Sequence, residues 1–147
     1  MRLILGPRPG KKSIDNIRSQ GATHLVTLLS DREDAAASGR IAGKIGADWI
    51  HLPMDGGHMD KLALFDLDNA FRALTHAGAL NKDATVYLHC SAGIHRTGFF
   101  AYALLRWRGA SPDAARAQLA EIRQVTFDQV GEDRLALADK LLANIAL

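Results

Sequence analysis

The only cysteine of the chain, Cys90, precedes Arg96 by a short loop, with Gly93 between them and Thr97 directly after. An apolar run, Val86-Tyr87-Leu88, leads into this stretch and an apolar-periodic segment leaves it, a pattern that reads as strand, loop and helix start. A loop of this length can curl until successive backbone N–H groups point inward, forming an anion nest at a helix N-terminus. Gly93 supplies the positive φ that such a curl needs. Arg96 then closes the ring with a planar fork matched to two oxygens of a phosphate or similar oxyanion. Ser91, Ala92, Gly93, Ile94, His95 and Arg96 are the expected anion-binding run, with Cys90 beneath it.

An ordinary thiol titrates near about 8.5, whereas inward dipoles, a helix N-terminus and a neighbouring guanidinium bring thiols down to roughly 3.5–7.5. Cys90 is therefore expected to be a nucleophile rather than an inert core cysteine. Thr97 is placed to hydrogen-bond the sulfur and ease its departure, a role that can coexist with capping the helix. His89 is expected to orient the loop through its ring N–H groups rather than to transfer protons.

The run His89-Cys90-x-x-Gly93-x-x-Arg96-Thr97-Gly98 resembles, at every fixed position, the signature HCxxGxxR(S/T) of the cysteine-dependent protein tyrosine and dual-specificity phosphatases. The resemblance implies phosphate-ester hydrolysis through a cysteinyl-phosphate, without metal or other cofactor, and a general acid on an upstream loop. Pro53-Met54-Asp55-Gly56-Gly57 resembles the acid loop of small dual-specificity phosphatases such as the cyclin-kinase-associated type, which implies Asp55 as that acid. Two glycines would let the loop move. Asp60 is the competitor. Gln129 resembles the glutamine that places the hydrolytic water in related enzymes, with a plain solvated side chain equally open, and Arg32 is a candidate for the mouth of the site.

These residues need a scaffold, and the rest of the pattern supplies one. Strands are expected at 2–5, 24–29, 48–54 and 85–89, and helices at 14–20, 31–44, 61–77, 98–108, 111–124 and 132–144. The alternation predicts an α/β fold, a three-layer sandwich with a central, mostly parallel sheet of four to five strands flanked by helices. In such a sheet, ligands gather at the carboxyl ends of the strands. Residues 30–33, 55–60 and 90–96 all lie at such ends. The resemblance covers nearly all of residues 1–147, read as one phosphatase domain.

Composition narrows the partners. With 147 residues and 48% apolar content the chain can bury a sizeable core, and a net charge of +2 gives no general pull towards nucleic acid or anionic lipid. One cysteine excludes an internal disulfide and fits a reducing cytoplasm. No apolar window approaches the length of a membrane span. A monomer acting on a phosphoprotein or a phosphorylated small molecule is expected, with neither nucleic acid nor membrane as partner. Rival substrates for the same loop are phosphoinositides, RNA 5′-triphosphates and small metabolites. The phosphoinositide enzymes typically carry lysines in the loop, where this chain has Ser91, Ala92, Ile94 and His95. A non-catalytic phosphopeptide binder is the remaining alternative, but the cysteine, arginine and acid whose loss marks that class are all present. The absence of a Trp-Pro-Asp sequence and of long insertions points to a shallow cleft.

Overall fold

The computed structural model describes residues 1–145. The elements run β1 (Arg2–Gly6), α1 (Ile14–Ser19), β2 (His24–Thr27), α2 (Ala35–Ile45), β3 (Asp48–His51), α3 (Met59–Leu62), α4 (Leu67–His76), β4 (Thr85–His89), α5 (His95–Trp107), α6 (Pro112–Ile122), α7 (Gln124–Val130) and α8 (Glu132–Ala143). The strands form one sheet in the order β1-β4-β2-β3, with every neighbouring pair parallel.

A parallel sheet covered on both faces needs strands that are apolar on both sides, and β2 and β4 meet that need. Leu25 and Tyr87 turn to one face and pack with Ile17, Ile41, Ala42 and Ile45 of α1 and α2. Val26, Val86, Leu88 and Cys90 turn to the other, where Phe71, Leu74, Phe99, Phe100, Leu119 and Leu135 complete the larger core. The result is the expected three-layer α/β sandwich. Its central helix is α5, in which every residue from Arg96 to Leu104 is buried. That explains its nearly continuous apolar run.

Several boundaries differ from the pattern-based reading, each for a local reason. The helix expected over 61–77 is two helices, because Asp66 starts a new one by accepting a hydrogen bond from the Asn69 N–H at 3.0 Å. Asp60 lies inside the first turn of α3, whose N-cap is His58. Helix α5 begins at His95 rather than at 98, because the polar loop residues already carry helical backbone. Helix α7 was not expected: its short sequence, Gln-Val-Thr-Phe-Asp-Gln-Val, carries β-branched residues and has no side-chain cap. Among the described residues, no helix is long and apolar enough to cross a membrane.

Helix α7 is pressed against α5 at Gly98, where an added Cβ would lie 2.7 Å from Val130 Cγ2 and 2.8 Å from Val130 Cβ. Gly98→Ala should therefore cost about 1–3 kcal/mol as overpacking, read as a lower urea midpoint at unchanged slope. A variant as stable as the parent would show that α7 shifts freely.

Candidate active site

The loop after β4 is held from outside. The Cys90 carbonyl accepts a hydrogen bond from His89 Nδ1 at 2.9 Å, and the Ser91 carbonyl accepts one from the Arg8 N–H at 2.9 Å. Arg123 Nη1 donates to the carbonyls of Ala92 and Gly93 at 3.2 and 2.9 Å, and Thr126 Oγ1 adds a bond to Gly93 O at 2.7 Å. The Ile94 carbonyl accepts the Gly98 N–H at 2.7 Å. A trans peptide is planar, so each carbonyl turned outward turns the next amide N–H the opposite way. Outward carbonyls at Cys90–Ile94 thus aim the N–H groups of Ser91–His95 into the ring. Gly93 makes the curl with φ +72°, and an added Cβ there would meet Gly6 O at 2.2 Å, so both its conformation and its space demand glycine.

Cys90 lies under this ring, nearly buried, and Thr97 Oγ1 donates to its Sγ at 3.1 Å. Burial by itself would raise the thiol's pKa. The Thr97 hydroxyl, the N–H groups of Thr97 and Ile94 and the Arg96 charge outweigh it, and the pKa falls below the ordinary thiol value. His89 is fully buried, and desolvation brings its pKa down to about 4, so the ring is neutral. A carbonyl can only accept, so Nδ1 carries the single proton and Nε2 is an acceptor. His89 therefore holds the loop through one N–H, not through two as the sequence suggested.

Arg96 is aimed by a residue that the motif does not contain. Its Nη1 and Nη2 donate to Glu33 Oε1 and Oε2 at 2.7 and 3.0 Å, and Nη1 also donates to the Met54 carbonyl at 3.2 Å. A guanidinium has five N–H donors. These three bonds leave Nε–H and one Nη2–H, two parallel donors on the side edge of the fork, for an anion over the loop. Glu33 is fixed in turn by the Ser30 N–H at 3.0 Å and the Ser30 hydroxyl at 2.9 Å. The Arg96 guanidinium holds the Glu33 carboxyl at a pKa of about 2, against the opposing effect of burial.

Arg32, the expected mouth residue of this segment, is exposed and lines the groove beside Asp55, while its neighbour Glu33 turns inward to Arg96. The sequence signal is the capping pattern Ser30-x-x-Glu33, which folds the glutamate back onto the Ser30 N–H. Its partner, distant in the chain, left no local trace.

The loop carrying Asp55 is pinned on both sides of that residue. Met54 is buried, with its carbonyl on Arg96, while the Gly57 carbonyl accepts Arg134 Nε at 2.9 Å from α8. Gly57 also packs on His95, where an added Cβ would lie 2.9 Å from His95 Cβ. Asp55 itself is exposed between these anchors, and Asp60 sits farther along in α3. Gln129 is exposed on α7, whose inner face is made by Thr126 and Val130. A groove of about 650 Å³ runs from Asp55 past Met54, Arg32 and Phe65. No cluster of three or more His, Cys, Asp or Glu among the described residues could hold a metal ion.

Glu33→Ala should strand a buried guanidinium. Its expected cost is about 2 kcal/mol, below the usual loss for a fully buried pair because the Glu33 side chain is 32% exposed. The Glu33 pKa is depressed in the folded state, so its contribution is complete above the unfolded carboxylate value of about 4.3. It is lost as pH falls towards the folded value of about 2. Denaturant titrations of both proteins should therefore converge across that window, and a gap independent of pH would reject the ion pair as its source.

Residues 54–121, which contain both loops, match the tyrosine phosphatase family. Among curated proteins none matches. Solved structures with similar folds include Tk-PTP in its active form, with a TM-score of 0.73, 20% identity and coverage of 99% of this chain and 94% of that one. A cysteine-to-serine variant of P. aeruginosa TpbA in complex with phosphotyrosine has a TM-score of 0.60 and 22% identity over 95% of this chain and 76% of that one. PTPMT1 in complex with PI(5)P has a TM-score of 0.63 and 20% identity over 99% and 95%. The single cysteine lies near the centre of the segment that matches the tyrosine phosphatase family, and the fold of the whole chain is similar to that of these phosphatases.

Proposed function

We propose that residues 1–147 act as one protein phosphatase domain that hydrolyses phosphotyrosine esters, with phosphoserine and phosphothreonine as further substrates, through a cysteinyl-phosphate at Cys90. The observation that carries this reading is the ring of inward N–H groups over a Thr97-bonded sulfur, closed by the two free donors of Arg96. The Cys90 thiolate attacks phosphorus in line, forming the S–P bond as the ester P–O bond breaks. Asp55 gives its proton to the departing oxygen. In the second step Asp55 takes a proton from water, the water oxygen bonds to phosphorus, and the S–P bond breaks to return the thiolate. Thr97 stabilises that leaving sulfur by its hydrogen bond. Most of the acceleration comes from the N–H groups of Ser91, Ala92, Gly93, Ile94 and His95 and from Arg96, because a loose phosphoryl transition state is helped chiefly by positioning and charge.

Position supports Asp55 over Asp60 as the acid: Asp55 lies between two anchors tied to the ring, whereas Asp60 belongs to a helix turn. The charge of the loop supports a protein substrate. Its outward side chains carry no lysine, so a multiply phosphorylated headgroup gains no extra cation there. The phosphoinositide-bound PTPMT1 structure keeps the lipid reading as the second hypothesis. A reducing cytoplasm, which keeps the lone thiol active, and a monomeric state complete the proposal.

Cys90→Ser should abolish hydrolysis of p-nitrophenyl phosphate while inorganic phosphate still competes for the ring. Turnover by that variant would reject covalent catalysis at this sulfur. Asp55→Ala should slow substrates with poor leaving groups by roughly 10²–10⁴-fold and p-nitrophenyl phosphate much less. The same pattern in Asp60→Ala alone would move the acid. A panel of phosphotyrosine, phosphoserine, phosphothreonine and phosphoinositide substrates at one pH separates the substrate classes, and a preference for the lipid would overturn the protein reading.

A further inference from the structure

The groove of about 650 Å³ is walled by the segments that follow β2 and β3 and by α3 and α4. None of residues 90–96 lines it. It adjoins the ring through Asp55 and through Met54, whose carbonyl accepts Arg96 Nη1. Its floor is apolar: Leu52, Met54 and Ala70 are buried, and Phe65 is half-buried and edge-on to Phe100. Its rim is open, with Arg32, Lys61 and Leu64 exposed, Leu64 by 84%.

In-line displacement fixes where the body of the substrate must lie. The sulfur attacks phosphorus from one side and the ester oxygen leaves on the other, so the group that carries this oxygen lies where Asp55 can protonate it. A groove that includes Asp55 in its wall therefore faces the substrate's own chain. Small molecules are held by enclosure, which buries roughly 70–90% of their surface. A trough with an exposed rim does not enclose, whereas a polypeptide lying across it needs only one covered face. Charge narrows the occupant further. Of the three carboxylates in the walls, Asp66 accepts the Asn69 N–H as a helix cap, Asp31 lies 3.8 Å from His51 Nδ1, and Asp55 is protonated in its role as acid. Among the described residues Arg32 and Lys61 enter no ion pair. What the groove offers is thus two uncommitted cations over an apolar floor.

We propose that this groove receives the stretch of substrate polypeptide next to the phosphorylated residue, with Arg32 and Lys61 reading an acidic side chain and Leu64 and Phe65 an apolar one. The inference deepens the phosphatase reading above and rests on it. A single exposed leucine is ordinary on a protein surface. Leu64 gains its meaning from its place beside an aromatic floor, on the leaving-group side of the nucleophile. The two cations stand on separate elements, Arg32 after β2 and Lys61 in α3, with Asp31 and Asp66 in the same walls. That field is weak for a multiply charged phosphoinositide headgroup and sufficient for a single side-chain carboxylate.

Phosphotyrosine peptides with alanine flanks, through which one Glu, Lys or Leu is moved position by position, test the inference as kcat/KM relative to p-nitrophenyl phosphate. At the responsive position Glu should exceed Lys by roughly fivefold, the scale of exposed ion pairs, and the ratio should shrink in high salt. Lys61→Glu and Arg32→Glu should each reduce or reverse that ratio, and Leu64→Ser should remove a gain of roughly threefold given by Leu. All three positions are exposed, so folding is little affected, and a reversed peptide preference cannot come from misfolding. Fluorescence anisotropy of the same peptides on Cys90→Ser protein reads the groove without turnover. A wild type inactive on p-nitrophenyl phosphate would therefore reject the phosphatase reading, while the affinities still decide this one. Equal handling of Glu and Lys peptides by the wild type, or preferences untouched by the three substitutions, would overturn the inference. So would phosphoinositide hydrolysis that exceeds every peptide and falls in Lys61→Glu.

Discussion

Planarity of the peptide bond is the constraint on which the site depends, because a backbone N–H can be aimed at an anion only by aiming the preceding carbonyl away from it. Five consecutive carbonyls, Cys90–Ile94, are turned outward, and their partners come from four parts of the fold: His89 in β4, the Arg8 amide after β1, Arg123 and Thr126 at α7, and the first turn of α5. An inward ring of N–H groups without such partners would leave the carbonyls of buried Cys90 and Gly93 unpaired at about 1–3 kcal/mol each. Much of the tertiary structure around the loop is therefore hydrogen-bond satisfaction of its outer surface.

The same division of labour applies to Arg96. A nearly buried guanidinium with no carboxylate beside it would be costly, and one fully engaged by carboxylate would have nothing left for substrate. Glu33 and Met54 O take three donors from one end of the fork and leave two on the side edge. Charge balance follows: with Cys90 as thiolate and Glu33 ionised, Arg96 faces two anions, and its own pKa is raised, chiefly by Glu33.

Helices α7 and α8 connect the anion loop and the aspartate loop. Arg123 and Thr126 hold the anion loop, and Arg134 holds Gly57 of the aspartate loop while also bonding the Val130 carbonyl at 3.0 Å. The close approach of Val130 to Gly98 sets where this helix pair sits. A short, weakly patterned helix thus ties the loop of Cys90 to the loop that bears Asp55.

The sequence by itself determined the anion loop, its cysteine, arginine and hydroxyl, the parallel sheet and the helical layers. These depend on local spacing: glycine where φ must be positive, apolar strands where both faces are covered, and an apolar-all-round segment for the central helix. The aspartate loop was legible as a glycine-bearing turn at a strand end, and its sequence picked out Asp55 by resemblance, but the anchors that hold it were not visible. Only the tertiary structure decided the existence of α7, the inward turn of Glu33 onto Arg96, and the burial that makes His89 a neutral, single donor. Glu33 meets Arg96 across 63 positions and Thr27 meets His89 across 62, and α7 is a short helix that packing rather than propensity maintains, whereas the break at Asp66 is a local cap hidden under a longer apolar period. Distance along the chain carries no local pattern, and side-chain direction at such contacts is fixed only when the sheet closes.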